Sequence, residues 1–439
     1  MKAPTTRNAR SMADKAPILI VSHTFPPYRG IGGRRWVKFA KALARRGHAV
    51  HVIHSAGDPD LLGSLWTDDL STPGIHVHPL PQRYPTVLFK RPLATVLEKV
   101  MYRFWSFALP LFTRGNWFDK TIFWERPFLR LAGTLIQEHG IRNVLITGAP
   151  FRLLYYGTLL KRSHPIRLVS DLRDTWTWQD GYGGGLLGLA RKAFEKELER
   201  KVMEESDHIV SPHPAVVDHL RHAYPSATGR IALLGHAIDP DELGPPRPAH
   251  SPKLLRLIYA GSMYGASEAD AYFNELLKGF AALREKYPES FAECRSDLYI
   301  TGHGTARYRE QVERAGLSDR ILFHEPLPAK EIFPRIAAAD AVILFIPSGN
   351  KDVLGTKFTE IFYLGRPVIH VGAPGSISAY ITSNGLGVTL PVEELANALP
   401  ELMSGARQVH TNTAYDPRTH LLDHIAEGME RTLLLPPLV

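Results

Sequence analysis

Three charged residues in one short stretch could hold a polar, anionic ligand. Asp352 lies in a loop, and Lys357 and Glu360 follow on a segment that reads as a helix, with seven residues between the two acids. A carboxylate accepts two or more hydrogen bonds and so suits sugar hydroxyls. The unpaired N–H groups at the helix start, around Gly355 and Thr356, favour an anion, and Lys357 adds a full positive charge. The competing reading is a solvated helix face whose Lys–Glu pair is worth about 0.2–0.5 kcal/mol. On these residues alone both readings stay open. A second group, Asp171-Leu-Arg-Asp-Thr-Trp176, places two carboxylates, Arg173 and Trp176 at the end of an apolar strand. Site residues collect at such strand ends, although Arg173 paired with an aspartate would also serve to fix a loop. A third group is the loop carrying Gly30, Gly32 and Gly33. Its glycines suit either a turn or a backbone approach to phosphate, and their spacing is not the G-x-G-x-x-G of dinucleotide binders.

The elements around these groups alternate strand and helix. Val342–Ile346 is a continuous branched apolar run, as expected of a parallel strand covered on both faces. A helix is expected over Thr356–Leu364, with Phe358, Ile361 and Phe362 on its apolar face and Gly365 and Pro367 as its stop. Earlier strands are expected at Ile18–Ser22, Val50–Ile53, Asn143–Thr147, Arg167–Ser170, His208–Ser211 and Ile231–Leu234. After the Pro-rich stretch Ile238–Pro252 a new series begins at Leu255–Tyr259, Leu298–Thr301 and Ile321–His324. The pattern predicts an α/β protein of two doubly wound, Rossmann-like domains facing across a cleft. The expected division is a disordered lead-in over 1–17, an N-terminal domain over 18–237, a linker over 238–253, a C-terminal domain over 254–415 and a helical tail over 416–439.

Composition narrows the class of protein. The 439 residues carry a formal charge of +8, which suits an anionic partner, and include one cysteine, Cys294, so no intrachain disulfide forms. A reducing, cytoplasmic location is therefore expected. No apolar run approaches the roughly 20 residues of a membrane span. Between Tyr84 and Arg130, bulky apolar side chains such as Leu97, Phe104, Phe107 and Phe112 are interleaved with Lys90, Lys99, Arg103 and Arg114. Such a segment can pack on the core under its basic stems or lie at an anionic membrane surface. No His/Asp metal cluster is evident, and the basic residues are not gathered beside a nucleic-acid-binding motif.

Taken in order, Phe25-Pro-Pro, the Gly30-x-Gly-Gly loop, Leu43-Ala-Arg-Arg-Gly-His48, Asp171-Leu-Arg-Asp-Thr-Trp, Tyr259-Ala-Gly-Ser and Lys357-x-x-Glu-x-x-x-x-Gly-Arg-Pro-Val368 make a set. The set resembles the GT-B-fold retaining glycosyltransferases of glycosyltransferase family four. The resemblance runs from about Ile18 to Leu399. It implies a hexosyltransferase-type enzyme that moves a sugar from a nucleotide-diphosphate sugar, without metal or other cofactor, to a glycan or lipid-linked acceptor. The C-terminal domain would hold the donor and the N-terminal one the acceptor, at the inner face of the cell membrane. The resemblance gives Asp352 to donor-sugar hydroxyls and Glu360 to the nucleotide ribose. Gly355, Thr356 and Lys357 would seat the diphosphate from one side and Gly30, Gly32 and Gly33 from the other. Gly261 and Ser262 belong to the donor loop, and Gly302 borders the base. Asp171 would stand at the reacting centre, and Arg173, Asp174 and Trp176 would contact the acceptor. The chain departs from the family in three places: Asp352 stands where Glu is commoner, the loop after Ser262 lacks an Arg, and Gly235-His236 replaces Asn-Gly. A sugar-nucleotide epimerase of GT-B-like fold and a non-catalytic sugar-nucleotide-binding protein are the alternatives.

Overall fold

The computed structural model describes residues 15–57, 62–90, 92–178, 188–244, 253–263, 266–301, 305–352, 355–409, 411–412 and 414–436, with only the backbone described at Ile31, Ala266, Thr356 and Lys357. The chain divides into one unit of residues 1–235 and 422–439 and a second of residues 236–421.

In the first unit the elements run β1 (Lys15–Val21), α1 (Arg34–Arg45), β2 (His48–Ser55), β3 (Ile75–Leu80), α2 (Val96–Phe112), α3 (Glu125–His139), β4 (Asn143–Gly148), α4 (Arg152–Ser163), β5 (Arg167–Leu172), α5 (Leu189–Glu205), β6 (His208–Ser211), α6 (Pro214–Ala223) and β7 (Ile231–Leu233). The strands form one parallel sheet in the order β3-β2-β1-β4-β5-β6-β7. Apolar side chains of β1, β4 and β5 are buried on both faces, which explains their unbroken branched sequences. The order reverses between β1 and β4, and their C-terminal ends are where an open sheet of this kind receives ligands.

The second unit carries α7 (Pro240–Leu243), β8 (Arg256–Ser262), α8 (Ala266–Lys286), α9 (Pro288–Glu293), β9 (Arg295–Thr301), α10 (Thr305–Arg314), β10 (Ile321–His324), α11 (Ala329–Ala338), β11 (Ala341–Ile346), α12 (Thr356–Tyr363), β12 (Val368–Gly372), α13 (Ser376–Asn384), β13 (Gly387–Leu390) and α14 (Leu395–Ser404). Its sheet is also parallel, ordered β10-β9-β8-β11-β12-β13, and reverses between β8 and β11.

Several boundaries differ from the expected ones. β1 begins at Lys15, inside the expected lead-in. Ile238 and Leu243, expected in the linker, are buried in an apolar cluster of the second unit with Ile258 and Phe333. The last helix, α15 (Leu422–Thr432), returns to the first unit. There Glu430 accepts from Lys15 Nζ at 2.6 Å, Arg46 Nη2 at 2.6 Å and His48 Nε2 at 2.8 Å. Burial alone would raise the Glu430 carboxyl, but these donors, Arg46 foremost, outweigh it and hold the group down to about 2. Its stabilising contribution is therefore present above the usual carboxylate value and is lost as pH falls through about 2. Asn143 adds a two-way bond with the Leu435 backbone, at 2.7 and 3.2 Å. Glu430→Ala is expected to lower stability by about 1–3 kcal/mol at neutral pH, read as a shift in the urea midpoint.

Part of the stretch 84–130 packs on the core. Tyr84, Leu88, Leu109, Trp117, Trp124 and Phe128 join the core of the first unit. The outer face of α2 does not, and Leu97, Val100, Phe104, Phe107 and Leu111 stand exposed.

Candidate functional site

Two sets of strand-end loops, one in each unit, carry the candidate residues. In the second unit the loop after β11 leads into α12. Gly355 is the N-cap of α12 at φ −75°, ψ 170°, and no side chain caps the helix start. A Cβ on Gly355 would meet nothing within 4 Å, and of the first N–H groups of α12 that of Phe358 donates to the Gly355 carbonyl at 3.1 Å. One turn on, Glu360 is buried to 1% exposure. That excludes the solvated-face reading: a carboxylate on a two-turn helix is withdrawn from water here, and such a group requires partners.

Asp352 is half-buried, and its Oδ1 accepts from the Ser376 backbone N–H at 2.7 Å and the Ser376 hydroxyl at 3.1 Å. It thus ties the β11 loop to the first turn of α13. The same loop is held from its other side by Glu268 of α8, which accepts from Ser348 N and Oγ, both at 2.8 Å. Those donors, the backbone N–H first, lower the Glu268 carboxyl below its ordinary value. Gly261, at φ +154°, and Ser262 end β8, and Ser262 Oγ lies 2.6 Å from Thr301 Oγ1 at the end of β9. Gly302 and the side chains of Thr356 and Lys357 lie outside the described residues.

In the first unit the reversal between β1 and β4 opens into two adjoining cavities. One of about 750 Å³ is lined by His23, Thr24, Arg29, Gly30, Gly32 and Lys120 among others. One of about 310 Å³ shares His23, Thr24 and Lys120 and adds Asn116, Ala149 and Pro150. The His23 ring is kept neutral, pushed down to about 3 by burial and secondarily by the Lys120 charge. Burial also lowers Lys120, whose ammonium lies 4.3 Å from the centre of the Phe89 ring. Among the described residues no carboxylate pairs with it. The cavity therefore offers a desolvated cation beside a neutral imidazole, suited to an anionic, hydroxyl-bearing group.

Comparison with known proteins bears on the fold and on the first unit. Residues 29–235 match the family described as Glycosyl transferase 4-like domain. The first unit thus carries a glycosyl transferase 4-like domain. Solved structures share the fold along its whole length. A trehalose-6-phosphate protein from E. coli bound with UDP-2-fluoro glucose is 14% identical at a TM-score of 0.59, covering 96% of this chain and 100% of that one. Sucrose-phosphate synthase from Thermosynechococcus elongatus is 15% identical at 0.55, covering 95% and 94%. UDP-GlcNAc 2-epimerase from Methanocaldococcus jannaschii is 12% identical at 0.54, covering 95% and 99%. No curated protein sequence matches significantly.

Several residues expected at the reacting centre or the acceptor have structural roles in the first unit. Asp171 is fully buried and accepts from Trp36 Nε1 at 2.7 Å, Thr147 Oγ1 at 2.8 Å and Arg35 Nη2 at 3.4 Å. A carboxylate so enclosed anchors α1 against β4 and β5. Trp176 is also fully buried, stacked on Phe151 with its indole N–H 3.1 Å from Glu195. Arg173 pairs with neither aspartate. It donates to the carbonyls of Gly32 at 2.7 Å, Gly148 at 2.9 Å and Ala149 at 2.9 Å, clamping the β1 loop to the β4 loop. A Cβ on Gly32 would lie 2.7 Å from the Arg173 guanidinium, and one on Gly33 2.7 Å from the Thr24 carbonyl. Close packing thus accounts for both glycines, while Gly30 and Gly32 also line the larger cavity. Of the expected acceptor residues only Asp174 stands exposed.

Sequence reasoning missed His23, Lys120 and Glu268. The first had a usable signal, since it lies two residues after the buried strand β1, beside the point where the strand order reverses. Lys120 had none, because it reaches the cavity from a loop about 100 residues further on.

Proposed function

We propose that the protein is a glycosyltransferase that transfers a sugar with retention from a nucleotide-diphosphate sugar, a UDP-sugar first among candidates, to a hydroxyl held by the first unit. The uncapped start of α12, with a buried carboxylate one turn into the helix, carries this reading. The donor diphosphate sits at the α12 N–H groups with Lys357, and Glu360 accepts from the ribose hydroxyls. Asp352, with one oxygen committed to Ser376, presents the other to the donor sugar. Gly261, Ser262 and Gly302 complete the donor side.

In the reaction the bond between the anomeric carbon and the diphosphate oxygen breaks, and the electron pair leaves with the diphosphate. The acceptor oxygen bonds to the same face of that carbon, and its proton passes to a diphosphate oxygen. The α12 N–H groups and Lys357 stabilise the departing charge, the term that aimed donors supply most effectively. That assigns the task to the chain itself and not to a metal, so turnover is expected to withstand EDTA. The acceptor hydroxyl lies at the His23–Lys120 cavity, which Gly30 and Gly32 also line.

A thermal-shift screen against UDP-, GDP-, ADP- and dTDP-sugars tests the donor assignment. One donor is expected to raise the midpoint, because a ligand of the folded state alone stabilises it; no shift with any of them would contradict the reading. The fold shared with a UDP-GlcNAc 2-epimerase makes epimerisation the second reading. It requires epimerised donor to accumulate without acceptor.

A further inference from the structure

Helix α2 is turned inside out relative to an ordinary surface helix. Tyr102, Trp105 and Leu109, spaced three and four apart, pack on the core of the first unit. The opposite stripe should then be polar, yet it reads Leu97, Val100, Phe104, Phe107 and Leu111, with Val96 and Phe112 at its ends. Phe107 is 72% exposed and Phe112 84%. Contiguous apolar faces of this kind mark interaction sites.

The face is preformed. Thr95 and Glu98 make a capping box at the start of α2. At its end Arg191 donates to the carbonyls of Pro110, Thr113 and Gly115, a cation placed where the last carbonyls need one.

The flanking charges choose the occupant. Lys99 and Arg103 lie exposed along one edge, and Arg114 follows the helix. Among the described residues no ion pair engages these three. The one acid on the helix, Glu98, is bound by Lys90 and the cap. A second copy docked through the same patch would bring these cations together with no acid to meet them. An anionic bilayer accepts both features, rings and leucines below the headgroups and basic side chains among them.

We infer that α2 seats the protein on an anionic membrane. Resting on the transfer reading above, we add that the acceptor is drawn from that membrane. Glu98, in the first turn of α2, and its partner Lys90 are also wall residues of the 750 Å³ cavity, which holds Lys120. The cavity thus opens beside the docked face, where an acidic lipid-linked saccharide would present its headgroup. No helix among the described residues is long and apolar enough to cross a membrane.

The test is co-sedimentation of the full chain with vesicles of phosphatidylglycerol and phosphatidylcholine, against phosphatidylcholine alone, at physiological salt. Binding is expected only with the anionic vesicles. The Phe104→Ser/Phe107→Ser/Leu111→Ser variant, altered only at exposed positions, is expected to bind at least tenfold less and to keep its unfolding midpoint and donor-induced thermal shift. Retention of that shift separates failure of docking from failure of the donor assignment. Wild-type protein left in the supernatant with anionic vesicles would overturn the inference. So would a stable wild-type dimer that the triple variant converts to monomer, or a variant that pellets as wild type does.

Discussion

Asp171→Ala is expected to lower the stability of the first unit by about 3–5 kcal/mol, because it leaves a buried charge without its partner. Arg35 is itself buried, and burial pulls its guanidinium below the ordinary value against the opposing pull of Asp171. Its remaining partners are the Leu234 carbonyl at 2.6 Å and the Gly235 carbonyl at 2.8 Å. These satisfy N–H groups but supply no countercharge. The Trp36 indole would also lose its acceptor, an unsatisfied buried donor worth about 1–3 kcal/mol, while the Thr147 hydroxyl would keep only the Gly148 carbonyl at 3.3 Å. Urea unfolding followed by tryptophan fluorescence reads the effect, since Trp36 and Trp176 sit in the affected region. A variant as stable as wild type but unable to transfer sugar would instead place Asp171 at the reacting centre.

Glu360→Gln is the second large effect. The amide keeps the shape of the side chain but removes the charge that strengthens hydrogen bonds from ribose hydroxyls. A charge-assisted pair is worth about 2–3 kcal/mol more than its neutral replacement in a dry site, so donor affinity is expected to fall roughly 30- to 150-fold. Titration calorimetry with the stabilising donor measures this. Asp352→Asn is expected to fall by less, since one oxygen of Asp352 already serves Ser376. Unchanged affinity in Glu360→Gln would remove Glu360 from the donor seat.

Much of the fold was legible because the central strands are buried on both faces and so read as unbroken apolar runs. β11 and α12 fall within two residues of their expected bounds. The strands that escaped, β3 and β13, are at the sheet edges. β3 carries two histidines and Pro79, which an edge tolerates and a central strand does not. The C-terminal helix was visible as a helix, but its partner was not. Glu430 meets residues almost 400 positions away, and nothing local encodes that.

The site divides the same way. Positions within one stretch, Asp352 to Glu360, were readable from spacing. Asp171, Arg173 and Trp176 were drawn to the site by their place at a strand end, where the same side chains serve equally to lock loops. Only three-dimensional neighbours separate those roles: Trp36 and Thr147 for Asp171, three carbonyls for Arg173, Phe151 for Trp176. The exposed stripe of α2 was visible as apolar residues at helical spacing. Which way it faced depended on Tyr102, Trp105 and Leu109 occupying the inward side.

The most direct test of retaining transfer is proton and phosphorus NMR of the wild-type chain with its stabilising donor and a lipid extract as acceptor source. Release of nucleoside diphosphate is expected, with a new glycoside whose anomeric configuration matches the donor's. An inverted glycoside would contradict retention, and epimerised donor without diphosphate release would contradict transfer itself.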